Sequence, residues 1–467
     1  MKYISTRGNA PTLGFCDAIL AGLAQDGGLY LPQEWPQISN EEIASFANKS
    51  FSEIAFAIMT RFIGDEIEHD VFKDIVKKAY SGFNHPSITP LVELEPNHFI
   101  LELFHGPTLA FKDVAMQFLA LVMDHILVKR NQRATIVGAT SGDTGSAAIE
   151  AFRGRDNIDI FILHPKGRTS EVQRRQMTCV LEDNIHNIAL KGNFDDCQTI
   201  VKGLFGNKEF KENTALSGVN SINWGRILAQ ITYYFKAASD LGSPYKEVDF
   251  SVPTGNFGDI FAGYAAKQMG LPIGKLNIAT NENDILARTL KSGKYEASEV
   301  KPTTSPSMDI AVSSNFERLL FEALGRNSED LNRLMDSLKQ SGGFSIPQKA
   351  LADIVSNFNA LKASEDEVIA TMGGCEKESG YLLDPHTAVG VFVARQLKNK
   401  DRVMISLSTA HPAKFPQAVK IATGVEPVLP EFLADLFEKP ERFDVLENDQ
   451  KIIEDYILER ISVTESC

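Results

Sequence analysis

Residues 248–268 read VDFSVPTGNFGDIFAGYAAKQ. Val248–Val252 has the make-up of a buried strand, PTGNFGD at 253–259 is a glycine-rich turn, and Ile260–Gln268 reads as helix. The same order recurs along the chain. Ala134–Ala139 (ATIVGA) precedes a second glycine-rich loop and a helix at Ser146–Phe152, and Phe99–Leu103 precedes a long helix at Val114–Arg130. Ile158–His164, Ile185–Leu190, Leu276–Ala279 and Val403–Leu407 are further short apolar runs. Strands separated by helices predict βαβ units, hence an α/β fold of mostly parallel sheets flanked by helices. Right-handed crossovers place the loops that follow strands along one edge, and ligands bind outside the carboxyl ends of such strands.

Outward from this region the character changes. Residues 1–95 read as a helix-rich N-terminal domain, with a Gly-Gly turn and short apolar strand in Gly22–Pro32 and helical spacing over Glu41–Ile63. Residues 96–430 form the α/β region, expected as two lobes, and 431–467 a C-terminal helical segment whose charge-rich part, Glu438–Arg460, reads as a solvated helix face. A chain of 467 residues exceeds what one core usually serves. Its 61 acidic and 47 basic side chains leave a net charge of −14, which argues against a nucleic acid or an anionic membrane as the main partner. A small anionic ligand stays compatible, since a local site can oppose the global sign. Cys16, Cys179, Cys197, Cys375 and Cys467 show no paired or metal-ligand spacing, so free thiols and no metal are expected. The N-terminus has no signal pattern, and apolar stretches such as Phe118–Met123 are too short to span a bilayer; a cytoplasmic protein is the expectation.

The loops after the strands carry the candidate chemistry. In PTGNFGD, Gly255 and Gly258 bracket Asn256 and Phe257, and exposed amides at a helix start favour a phosphate. No Walker lysine or GxGxxG accompanies them, so a nucleotide is not implied. Asp259 is expected in the first helical turn, where a carboxylate suits the dipole. GATSGDTG at 138–145 sets Thr140, Ser141, Asp143 and Thr144 among Gly138, Gly142 and Gly145. It reads either as a cradle for a carboxylate or as a turn with Asp143 or Thr144 capping the next helix. LSTAHPAK at 407–414 ends a strand with the hydroxyls of Ser408 and Thr409; His411 reads as structural and Lys414 as a surface residue. Asn223 and Arg226 stand near a helix start in NSINWGRILAQ, where the guanidinium suits phosphate or carboxylate and a surface ion pair is the competing reading. HGPTLAFKD at 105–113 sets Lys112 among apolar and small residues. Desolvation there lowers an amine's pKa and frees its neutral form. A phosphate cradle, a carboxylate cradle, a hydroxyl pair and one lysine in apolar surroundings form the inventory of a pyridoxal-phosphate enzyme.

The chain also resembles the threonine synthases of the bacterial and fungal type, within the fold-type-II, tryptophan-synthase-β-like pyridoxal-phosphate enzymes. The resemblance runs over nearly the whole chain: STRG and DGGLYLP, HGPTLAFKD, GATSGDTG, SINWGRILAQ, PTGNFGD, SPSMDIAVSSNFERLLF, YLLDPHTAVG and LSTAHPAKFP, in that order. It implies that Lys112 carries the cofactor as a Schiff base. It implies that Gly255, Asn256, Phe257 and Gly258, with Asp259 behind them, hold the cofactor phosphate, and that Thr409 meets the pyridine nitrogen. The loop from Thr140 and Ser141 through Gly142, Asp143 and Thr144 to Gly145 is implied to meet the substrate carboxylate. Many relatives outside this branch have asparagine where Asp143 stands, which leaves the partner of the cofactor 3-hydroxyl open. The implied reaction converts O-phospho-L-homoserine and water to L-threonine and phosphate, the last step of threonine biosynthesis. The substrate's own phosphate needs a second anion site, for which Asn223, Arg226, Ser141, His105 and Lys414 are the candidates. A phospholyase for another O-phospho amino acid and a threonine or serine dehydratase share this scaffold. A binding protein that kept the fold is countered by the intact Lys112. No oligomeric state follows from the pattern.

Overall fold

The Val248–Pro253 strand lies inside a six-stranded sheet of order 358–362, 273–280, 248–253, 403–408, 98–102, 91–95. The structure, a computed structural model, describes residues 1–461, so Cys467 lies outside the described residues. All pairings in this sheet are parallel except that of the edge strand Leu91–Glu95. A second sheet, of five strands, has the order 444–447, 185–191, 158–165, 134–139, 216–217 and is parallel throughout. Every residue of Val248–Pro253 and of Ile158–Pro165 is buried, the mark of strands covered on both faces by helices.

Two helices that are apolar nearly all round, Lys112–Arg130 and Trp224–Asp240, are buried along most of their length. Each begins at a sequence motif singled out above. The N-terminal region packs onto the second of them. Tyr3–Ser5 pairs antiparallel with Tyr30–Pro32, and the rings of Tyr3 and Phe62 lie 6.0 and 5.8 Å from that of Trp224. Its apolar side chains join one continuous core with both helices. Arg318, fully buried, extends this seam by donating to the carbonyls of Tyr30 and Ile222 at 2.7 Å each.

Some expectations shift. The helix after GATSGDTG begins at Asp143, and neither Asp143 nor Thr144 caps it; the N-cap is Gly142, at φ 145°. Glu41–Ile63 is interrupted, and its second helix, Phe51–Ile63, starts from a Ser50–Glu53 capping box. The charge-rich tail is only partly helical. Asp444–Glu447 is a strand paired with Ile188–Lys191, and Ile453, Tyr456 and Ile457 join a core with Phe161 and Leu163. A four-residue, mostly exposed edge strand in a charged segment carries little local signal, and its partner supplies the reason to be extended. Among the described residues no helix is long and apolar enough to cross a membrane, and Cys16, Cys179, Cys197 and Cys375 are free thiols.

Candidate active site

The carboxyl ends of the strands His98–Glu102 and Val403–Ser408 sit side by side, and the loops leaving them are tied together. Phe111 N–H donates to Thr409 O at 2.9 Å, and His411 N–H to Leu109 O at 3.0 Å. This seam brings HGPTLAFKD against STAHPAK and delivers Lys112 to the first residue of its helix, 6% exposed. Its ammonium meets Asp143 Oδ2 at 3.3 Å and lies 4.7 Å from the centre of the Phe111 ring. Burial lowers its pKa from the usual lysine value; Asp143 opposes that shift, while Lys414 and Arg226 add to it.

Lys414 is no surface residue. It is fully buried, forms an ion pair with Asp143 Oδ1 at 2.9 Å and donates to Thr108 O at 2.7 Å. Asp143 therefore stands between two ammonium groups. Gln173 Nε2 also donates to its Oδ1, at 2.9 Å, and Ser307 Oγ to its Oδ2, at 3.4 Å. Burial works to raise its pKa, but Lys414 and then Lys112 hold it well below the usual carboxylate value. An ionised carboxylate attracts cations and repels anions, so Asp143 pairs with the two lysines. Thr140 also shapes the loop, its Oγ1 accepting from the amides of Gly142 and Gly145 at 2.9 Å each. The amides of Ser141, Asp143 and Thr144 meet no acceptor among the described residues, and Ser141 and Thr144 are only partly buried.

The second cradle is one contact away, through Ser307. A Cβ added at Gly255 would lie 3.0 Å from Ser307 O and 3.1 Å from Met308 Cα, so any side chain there would crowd backbone atoms. Phe257 sits in the left-handed region at φ 64° and starts the helix Gly258–Gln268. Among the described residues the amides of Gly255, Asn256, Phe257 and Gly258 have no acceptor, while the carbonyls of Gly255 and Asn256 are held by Ser313 and Asn315. Fixed amides without acceptors at a helix start fit a phosphate. Asp259 faces away from this cradle: Tyr233 and Tyr234 donate to its Oδ1 at 2.5 and 2.9 Å, and burial raises its pKa to about 6.

Arg226 is 3% exposed and, among the described residues, has no carboxylate partner. Its Nη1 reaches Val219 O at 3.3 Å and its Nε reaches nothing. Burial lowers its pKa to about 10, yet it stays charged at neutral pH. A buried cation without a counter-ion calls for an anion. Asn223, by contrast, is a cap: its Oδ1 accepts from Gly225 N–H at 2.9 Å, and its Nδ2 donates to Ile19 O at 2.9 Å and Gly218 O at 3.4 Å, which leaves no amide donor for an anion.

Thr409 is 6% exposed; its N–H donates to Thr387 Oγ1 at 3.2 Å and its own hydroxyl stays unengaged among the described residues. His411 is the structural histidine its setting implied, accepting from Ala413 N–H, its pKa lowered by burial to about 4. His105 bonds Glu102 at 2.7 Å and lines, with Phe104, Tyr381 and His411, a separate cavity of about 860 Å³ that Lys112 does not line. The sequence reading passed over Gln173, Ser307, Asp384, His386 and Thr387. His386 accepts from Ser307 N–H at 3.3 Å, and Asp384 holds both His386 and Thr387. The run Asp384-Pro385 is a helix-start signature, with cap and N1 proline, and could have flagged this support.

A family described as pyridoxal-phosphate dependent enzyme matches residues 83–409. Threonine synthase N terminus matches residues 2–80, and threonine synthase, C-terminal, matches 387–457. A threonine synthase from Pseudomonas aeruginosa is 53% identical over 98% of both chains. A crystal structure of a pyridoxal-phosphate-bound threonine synthase from Brucella melitensis is 60% identical and covers 98% of this chain and 99% of that one, at a TM-score of 0.97. The yeast threonine synthase structure is 43% identical over 98% of each chain, at a TM-score of 0.94.

Proposed function

The chain belongs to the threonine synthases, pyridoxal-phosphate-dependent lyases, and from that premise we propose that it converts O-phospho-L-homoserine and water to L-threonine and phosphate, with Lys112 carrying the cofactor. The observation that carries the reading is a buried Lys112 paired with Asp143, one contact from a cradle of unpaired amides and near a guanidinium with no counter-ion. Two anion sites answer a cofactor phosphate and a substrate phosphate. A dehydratase would need no second phosphate site.

Bound pyridoxal phosphate supplies a conjugated ring that takes up the charge left when a proton leaves the carbon beside the amine. The amides of Gly255, Asn256, Phe257 and Gly258 hold the cofactor phosphate. Thr409 offers a neutral hydroxyl at the ring nitrogen, which moderates the electron sink. Ser141, Thr144 and the free amides of their loop take the substrate carboxylate. Arg226 takes the substrate phosphate and steadies it as the leaving group. Lys112, its amine desolvated and its pKa lowered by burial, removes and returns protons on one face of the substrate. The free thiols of the described cysteines suit a reducing, cytoplasmic setting.

Purified protein supplied with pyridoxal phosphate and O-phospho-L-homoserine should release phosphate and threonine in equal amounts, and Lys112→Ala should release neither. Oxo acid and ammonia formed from threonine or serine, with no phosphate released from phosphohomoserine, would overturn the assignment.

A further inference from the structure

Lys414 is the shorter-range partner of Asp143, at 2.9 Å against 3.3 Å for Lys112. It is fully buried, and Thr108 O fixes its ammonium from the other side at 2.7 Å. Thr108 is itself clamped, its N–H and hydroxyl donating to Asp113 at 2.9 and 2.6 Å, and its carbonyl also takes Gln176 Nε2 at 3.1 Å. Lys414 is thus fixed between Asp143 on one side and the clamped Thr108 carbonyl on the other. Lys112 is different: its contact with Asp143 is the longer, and its nitrogen must change protonation and bonding for it to carry the cofactor and move protons. One carboxylate cannot neutralise two ammonium groups, so one of the two lysines holds Asp143 and the other is left to vary.

We propose that Lys414 is a positioning residue for the reaction: the fixed cation that keeps the Asp143 carboxylate ionised and aimed at Lys112 while Lys112 gains and loses its proton. The inference rests on Lys112 being the cofactor lysine. The groups that face Lys112 are Asp143 from the loop at 138–145, Lys414 from the 3-10 turn Pro412–Lys414, Arg226 at the start of Trp224–Asp240, Asp259 at the start of Gly258–Gln268 and the ring of its neighbour Phe111. Lys414 in turn faces Asp143, Thr108, Asp113 and His411. Of the cations among these, Lys414 alone shares a carboxylate with Lys112. Removing it and removing Asp143 should therefore move Lys112 in opposite directions, a pattern that a packing role would not produce.

The full chain as purified, Lys414→Met, Lys414→Arg and Asp143→Asn are each incubated with pyridoxal phosphate across a pH series. Borohydride then traps the adduct, and mass spectrometry locates it. In Lys414→Met the pH midpoint of trapping at Lys112 should rise by about one unit, because a like charge has gone. In Asp143→Asn it should fall, because the opposite charge has gone. Lys414→Arg should keep the parent midpoint. In steady state, Lys414→Met should lose about tenfold or more in kcat with KM changed less than about threefold, and Lys414→Arg should recover most of it. An unmoved midpoint in Lys414→Met sinks the proposal. So does a raised KM for phosphohomoserine with kcat and midpoint unchanged, which would make Lys414 a substrate-phosphate ligand. Should Lys414→Met fail to fold, Lys414→Arg and Asp143→Asn decide: a midpoint displaced in the arginine variant, or unmoved in the asparagine variant, overturns it. An adduct on another lysine overturns the Lys112 reading itself, whereas an adduct on Lys112 indifferent to residue 414 removes only this inference.

Discussion

At Arg226, burial without a counter-ion turns an ordinary residue into a demand for an anion. A charge-assisted hydrogen bond contributes about 1.5–3 kcal/mol, so Arg226→Gln should raise KM for phosphohomoserine about tenfold to a hundredfold, with a smaller change in kcat. Steady-state kinetics decide, and an unchanged KM removes Arg226 from the site. Thr409 makes the converse case, a neutral group where a charge would alter the chemistry. Thr409→Asp should hold the ring nitrogen protonated and change the cofactor's absorbance and its side products; no change in either would show that the hydroxyl has no such role. Lys112 was legible because an amine among apolar neighbours is conspicuous in a linear sequence. Lys414 was not, because its burial comes from Thr108 and Asp143, segments far away in the chain.

Strand ends and helix starts do the positioning at the next scale up. Asn223 caps the helix that carries Arg226, and its Nδ2 satisfies the buried Ile19 carbonyl. Asn223→Ala loses a cap, about 1 kcal/mol, and leaves that carbonyl unmet, about 1–3 kcal/mol more. Thermal unfolding should shift down, and a melting temperature equal to the parent's would contradict the capping role. Gly255 tests the cofactor cradle. The Cβ of Gly255→Ala would press on Ser307 O and Met308 Cα, both backbone atoms that yield poorly. Absorbance titration should show cofactor affinity weakened by about tenfold or more while the apo chain melts near the parent temperature. Local pattern found most of these elements, since glycine loops, caps and apolar runs are short-range signals. It misplaced their starts: Lys112 and Asp143 each open a helix that the apolar pattern alone placed later. A first helical turn is settled by cap geometry and by polar side chains turned inward, and apolar periodicity registers neither.

Over the whole molecule, buried ionisable groups set the response to acid. Burial lowers the pKa of His98, His164, His186 and His411 to about 4 each. Between that value and the usual histidine pKa of about 6.5 the unfolded chain binds protons that the folded chain refuses, so stability rises with pH through this window and is lost as pH falls. Asp113 and Asp259, both raised by burial to about 6, act the other way, since their folded forms keep a proton the unfolded chain has given up. The histidines outnumber them, so the melting temperature should drop as pH goes from about 6.5 to about 4.5, and His164→Phe should flatten the drop. A melting temperature level across that range would refute this balance. The amino-acid sequence by itself determined the alternation of strands and helices, the strand-end loops and the class of cofactor chemistry, because each rests on backbone sterics and burial patterns spanning a few residues. Only the tertiary structure decided which side chains meet: Lys414 with Asp143, Asn223 as a cap, Asp259 turned to Tyr233 and Tyr234, and Arg226 without a counter-ion among the described residues. Ion pairing and desolvation depend on groups brought together from distant segments, and no local pattern holds that information.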